Sequence, residues 1–201
     1  MTRAKHPQPE TTPGVLRSPP DEPPVLIDPR RWGALIGLIG GLVFVLSYGP
    51  ALGSTVSITA SVAGICLTAV ALLNLYIRPS PLGPFREPTR SALLVYGGCV
   101  IGELAAIGLG SRLLVGLDQA DLRPALIAGV VGLHFLPFAW AFREPLFHRL
   151  GLALVGLGSA GLLLGWAGVT AAAGVAAVMS GLVMTSLIVL YSRGRLRPPA
   201  R

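Results

Sequence analysis

Two ionisable side chains lie in the middle of apolar stretches, at positions that must sit deep in a bilayer. Glu103 lies near the centre of the stretch 91–116, and His134 lies near the centre of the stretch 124–142. A carboxylate at the bilayer centre costs at least about 2.5 kcal/mol, and a neighbouring imidazole that shares its proton lowers that cost. Carboxyl and imidazole groups at such depths also form the proton relays of membrane transporters.

The two stretches are consecutive and joined by a short loop, so we expect them to run antiparallel. At about 1.5 Å of rise per residue, Glu103 and His134 reach similar depths, and we predict a separation of about 3 to 6 Å. Tyr96 should share the helix face of Glu103, and Arg123 and Pro137 should share that of His134. Two interpretations stay open. The favoured one is a hydrogen bond that fixes helix register, since the other deep positions are apolar or small, and the second is a proton relay.

The composition of the whole chain is typical of a polytopic membrane protein. The 201 residues are 52% hydrophobic and 12% charged, with 26 glycines and a mean hydropathy of +0.69. Six apolar segments are each long enough to cross the roughly 30 Å hydrocarbon core as a helix. These segments are 32–52, 55–77, 91–116, 124–142, 146–166 and 169–191. We therefore predict an all-α bundle of six transmembrane helices.

The basic residues fall almost entirely on one side of the predicted spans. Of the 16 Lys and Arg residues, only Arg112 and Arg123 lie on the opposite side, beside Asp118 and Asp121. By the positive-inside rule, this asymmetry predicts a multi-pass protein of a bacterial cytoplasmic (inner) membrane with both termini in the cytoplasm. The same placement explains the net charge of +7, so we expect the lipid bilayer and no nucleic acid as a partner.

The composition changes at both ends of the apolar region. Residues 1–30 are rich in proline and hold few large apolar groups, which predicts a disordered cytoplasmic tail. Residues 31–192 are predicted to form the six-helix transmembrane domain, and residues 193–201 a short basic cytoplasmic tail.

Short motifs recur along the chain. Asp28-Pro29, Glu87-Pro88 and Glu144-Pro145 each precede an odd-numbered span, and an acid followed by proline suits a helix start. Spans two and six both end in Leu-Tyr-x-Arg, beginning at Leu75 and Leu190. This pattern is consistent with three helical-hairpin repeats around an axis along the membrane normal, and equally with independent helix start and stop signals.

The fourth predicted span ends in Gly-Leu-His-Phe-Leu-Pro-Phe-Ala-Trp-Ala-Phe, from Gly132 to Phe142. Pro137 cannot donate to the carbonyl of Leu133, which predicts a free acceptor beside His134. Over these residues the chain resembles uncharacterised bacterial multi-pass membrane proteins that carry a Gly-x-His-Phe-x-Pro-x-Ala-x-x-Phe segment in a late span. The resemblance implies that His134 and Pro137 belong to a motif, and it brings no known activity with it.

Common catalytic and metal-binding motifs are missing from the sequence. It has no Cys-x-x-Cys, no His-Glu-x-x-His and no phosphate-binding glycine loop, so we predict no enzyme activity, metal or cofactor.

The favoured function is a small structural or accessory membrane protein that packs with itself or with a larger membrane complex, because small residues suited to helix contacts are abundant. The alternative is a proton-coupled small-solute transporter or channel that uses Glu103 and His134. The two functions differ in whether a water-accessible cavity reaches Glu103.

Overall fold

The computed structural model describes residues 24–80, 82, 89–142 and 144–196, most of which lie in six long helices. The helices are α1 Pro29–Tyr48, α2 Ser54–Leu72, α3 Arg90–Gly116, α4 Arg123–Phe142, α5 Pro145–Trp166 and α6 Ala172–Ser192. A 3-10 turn, Gly49–Leu52, extends α1, and a π-helical turn, Leu73–Ile77, extends α2. All six units are long and apolar enough to cross a membrane, which confirms the predicted fold class.

The central helix of the bundle is α6. It packs against α1, α2, α4 and α5, and 56% of its most apolar stretch is buried within the chain. Small residues allow this crowding, because a Cβ at Gly181 would overlap the carbonyl oxygen of Gly41 in α1. Since helices in lipid gain little from burying apolar area, such close backbone contacts supply much of the packing energy.

In contrast, α3 lies at the edge of the bundle. Its main neighbour is α4, and only 6% of its most apolar stretch is buried within the chain. A Cβ added at Gly98 or Gly102 would meet no atom within 4 Å. Most of the surface of α3 therefore faces the surroundings of the chain.

The tightest glycine contacts join α4 and α5. A Cβ at Gly158 would lie 2.5 Å from the Cα of Gly129, and a Cβ at Gly132 would lie 2.5 Å from the backbone nitrogen of Val155. At Gly156, two residues before Gly158, an added Cβ would meet no atom within 4 Å. The glycines that face the partner helix thus set how closely α4 and α5 approach.

The chain forms three hairpins, α1–α2, α3–α4 and α5–α6, and the third lies between the other two. The first and second hairpins each pack mainly against the third, so the hairpins have different neighbours. This arrangement does not confirm the predicted three-hairpin repeat. The helix starts also differ: Asp28 caps α1 by accepting from the amide of Arg30 at 2.9 Å, whereas the Glu144 side chain makes no capping bond to α5.

The ends of the predicted domain differ slightly from the observed helices. Residues 1–23 and 197–201 of the two predicted tails, and the Glu87-Pro88 motif, lie outside the described residues. Helix α1 begins at Pro29, before the predicted boundary at residue 31. Asp28 is only 1% exposed, and its carboxylate caps the helix and pairs with Arg30. Leu196, in the predicted C-terminal tail, is also buried, and it packs in the main hydrophobic core.

Candidate functional site

Glu103 and His134 meet at the contact between α3 and α4. Nδ1 of His134 lies 3.4 Å from Oε2 of Glu103, within the range expected from their matched depths, and the two side chains are 13% and 19% exposed, with the imidazole the more buried. The approach does not have the geometry of a hydrogen bond, so Nδ1 is without a hydrogen-bond partner among the described residues.

The contact between α3 and α4 is fixed near the loop that joins them. Leu114 of α3 and Leu122, just before α4, are buried in one hydrophobic cluster. The side chain of Leu126 covers Gly110, where a Cβ would lie 2.8 Å from the leucine Cδ2. These contacts set the register of the hairpin, and Glu103 lies about two helical turns from Gly110 on the same face of α3.

Aromatic rings enclose His134 on the side away from that loop. The imidazole centroid lies 4.2 Å from that of Phe135 and 5.1 Å from that of Phe138. Phe138 in turn contacts Phe142 and, across the helix boundary, Phe147 of α5. Sequence reasoning did not recognise this group, although spacings of three and four residues place the three phenylalanines of α4 on one face.

The three other predicted contributors lie apart from the pair. Tyr96 is 45% exposed, and its ring stacks on Phe138 with centroids 5.3 Å apart. Arg123 is exposed at the first residue of α4, about three helical turns from His134. Pro137 lies inside α4, which continues to Phe142. The structure therefore brings together Glu103 and His134, and it places the other three around or beyond them.

Two apolar concavities of the described residues lie elsewhere. One of about 350 Å³ lies between α2 and α6, and another of about 340 Å³ lies between α5 and α6. Both are lined almost entirely by apolar side chains, and Val175 and Met179 border both of them. Neither Glu103 nor His134 lines either concavity.

A second set of buried polar side chains was missed by sequence reasoning. Asp28 and Arg31 are 1% and 3% exposed, and the hydroxyl-bearing Tyr191 of α6 is 7% exposed. Burial raises the pKa of the Glu144 carboxyl, while the nearby Arg30 lowers it and Asp28 raises it further. The recurring acid-proline motif singled out Asp28 and Glu144 in the sequence, but only as helix starts.

The six long apolar helices define the class of the protein: a multi-pass, α-helical membrane protein. No protein-family model, curated protein or solved structure matches the chain. Within the described part of the chain, no group of three or more His, Cys, Asp or Glu side chains is arranged to hold a metal ion.

Proposed function

We propose that the protein is a small structural or accessory membrane protein that packs through α3 with a second copy of itself or with a larger membrane complex. The observation that carries this proposal is the isolation of α3, a helix of 27 residues with 6% of its most apolar stretch buried within the chain. A helix that contributes so little to its own bundle is available to contact another one.

Small residues lie along the exposed side of α3. Gly98, Gly102 and Ala105 are exposed and lie about three to four residues apart, on the side opposite the contact with α4. Small residues at this spacing let two transmembrane helices approach closely, so that van der Waals contacts between backbones hold them together.

In this proposal the Glu103–His134 contact attaches α3 to the rest of the bundle. Polar contacts between transmembrane helices contribute about 1 to 2 kcal/mol in model peptides and less in whole proteins. Such a contribution suffices to fix the rotation of α3, and this rotation decides which face the helix presents to a partner.

Cysteine cross-linking in membranes tests the proposed contact face. In a chain with Cys66→Ala and Cys99→Ala, we expect Ala105→Cys to form an oxidised dimer, or an adduct with a partner protein, in high yield. Leu104→Cys is the matched control, because Leu104 is 67% exposed at the same depth but lies about 100° around the helix. Adding Gly102→Leu to the Ala105→Cys chain should reduce the cross-link several-fold. Equal yields from positions 104 and 105 would contradict the proposal.

We also propose that both termini lie in the cytoplasm of a bacterial cell, with the protein in the cytoplasmic (inner) membrane. The support is the asymmetric placement of the 16 basic residues. A reporter that is active only outside the cytoplasm should be silent when fused after Arg201. The same reporter inserted after Asp118, an exposed residue of the loop between α3 and α4, should be active. The reverse pattern would show that the orientation is wrong.

The second candidate function is the proton-coupled transporter or channel, and the contact of 3.4 Å between Glu103 and His134 favours it. A carboxyl group and an imidazole at this distance can exchange a proton after a small side-chain rotation. Proton flux and melting temperature, measured together in the Glu103→Gln variant, separate the two candidates.

A further inference from the structure

We infer that Arg31 holds three segments of the chain together: the start of α1, the end of α2 at Leu75, and the first residues of the connection toward α3 at Ser80. We call this set of contacts the clasp. The sequence indicates a different role for this residue, since Arg30 and Arg31 precede an apolar span and count among the charges that orient it. The inference concerns the inner construction of the bundle and does not depend on the proposed role of α3.

Three hydrogen bonds of Arg31 join three segments of the chain. Its Nη1 donates to the carbonyl oxygen of Leu75, and its Nη2 donates to the carbonyl oxygen of Ser80 at 3.3 Å. In return, the hydroxyl of Tyr76 donates to the carbonyl oxygen of Arg31 at 3.4 Å. Arg31 is 3% exposed, so its guanidinium group does not act as a solvated surface charge.

The carbonyl of Leu75 needs a partner of this kind. It belongs to the π-helical turn Leu73–Ile77 that ends the α2 unit, where the last carbonyls of a helix have no amide partner within the helix. Leu75 itself is 0% exposed. An unpaired carbonyl in a buried place is costly, and the guanidinium group of Arg31 satisfies it.

The charge of Arg31 is compensated by Asp28. Oδ2 of Asp28 lies 3.7 Å from Nε of Arg31 and 3.0 Å from Nη2 of Arg30. The carboxylate is held in place because it also caps α1 through the amide of Arg30. Helix α1, which begins at this group, packs against α6 of the third hairpin.

An arginine is required here by geometry as well as by charge. Its planar group presents two terminal nitrogens to two carbonyls while Nε faces the carboxylate. A lysine ammonium carries the same charge at a single point and cannot reach all three partners. Arg31→Lys therefore keeps the orienting charge and removes the clasp, which separates the two roles.

The test uses the purified full-length chain in detergent. We expect Arg31→Lys to lower the apparent melting temperature by about 5 to 10 °C and to speed cleavage near Ser80 several-fold by a protease of broad specificity such as proteinase K. Orientation in cells, measured with the reporter after Arg201, should not change. Arg193→Lys is the matched control, because Arg193 is exposed and follows α6 at the same end of the bundle. It should match the unmodified chain in all three measurements.

A result in which Arg31→Lys behaves like Arg193→Lys would overturn the clasp. If Arg31→Lys cannot be purified as a folded protein, Asp28→Asn decides, since the amide oxygen still caps α1 while the charge facing Arg31 is lost. Faster cleavage and a lower melting temperature in Asp28→Asn would support the clasp, and unchanged values would overturn it.

Discussion

Replacing Gly158 with leucine is expected to abolish the folded six-helix bundle. A Cβ at this position would lie 2.5 Å from the Cα of Gly129 and 2.8 Å from the carbonyl oxygen of Ala125. Both atoms belong to the backbone of α4, so no change of rotamer can make room, and the helices must separate. Overpacking alone costs about 1 to 3 kcal/mol, and separating the pair costs more, out of a net stability of roughly 5 to 15 kcal/mol.

The measurement is the melting temperature and the monodispersity of the purified protein. Gly156→Leu provides the control, since it makes the same chemical change two residues away, where a Cβ meets nothing within 4 Å. We expect the control to remain monodisperse and to melt within about 3 °C of the unmodified chain, because surface changes usually stay within about 0.5 kcal/mol. Similar behaviour of the two variants would show that α4 and α5 do not pack through Gly158.

The second large effect concerns Glu103 and His134, and it separates the two candidate functions. If the pair is structural, Glu103→Gln should alter the melting temperature little, because the amide keeps the shape and the acceptor and adds a donor. His134→Leu should instead lower the melting temperature by about 3 to 10 °C, since a largely buried carboxyl then loses its partner at a cost of about 1 to 3 kcal/mol.

Proton flux into liposomes that contain a pH-sensitive dye completes this test. The structural proposal predicts no flux above that of empty liposomes, with or without the substitution. A proton relay requires a flux that Glu103→Gln abolishes at an unchanged melting temperature, because an amide cannot load and release a proton. Tyr96→Phe serves as the control, since Tyr96 is half-exposed and retains its stacking ring in this variant. Flux that is lost in Glu103→Gln alone would overturn the structural proposal.

The spans and the depth of the polar pair follow from the sequence for simple physical reasons. Long apolar runs have one stable arrangement in a bilayer, and the observed units begin and end within a few residues of the predicted ones. Two consecutive antiparallel spans then bring residues at equal distances from their loop to equal depths, which explains the contact between Glu103 and His134.

The neighbours of each helix do not follow from the sequence. Helices α3 and α6 are both strongly apolar. Yet only 6% of the most apolar stretch of α3 is buried within the chain, compared with 56% of that of α6. In water an apolar face marks the core, whereas in a bilayer the surfaces facing lipid and protein have similar polarity. The role of Arg31 also could not be predicted from the sequence. No sequence pattern shows that the chain forms a π-helical turn at the end of α2, or that this turn leaves the carbonyl of Leu75 without an amide donor.

The central position of α6 determines the order in which the protein can assemble. During translation the N-terminal helices leave the ribosome first, and α6 is the last of the six described helices to appear. The face of α1 that carries Gly41 therefore has no α6 to pack against until Gly181 has been made. The contacts of α6 can form only after the first five helices have been made, whereas α4 and α5 can pack together before then. A ribosome that stalls before α6 is made leaves α1, α2, α4 and α5 inserted without the helix that they share.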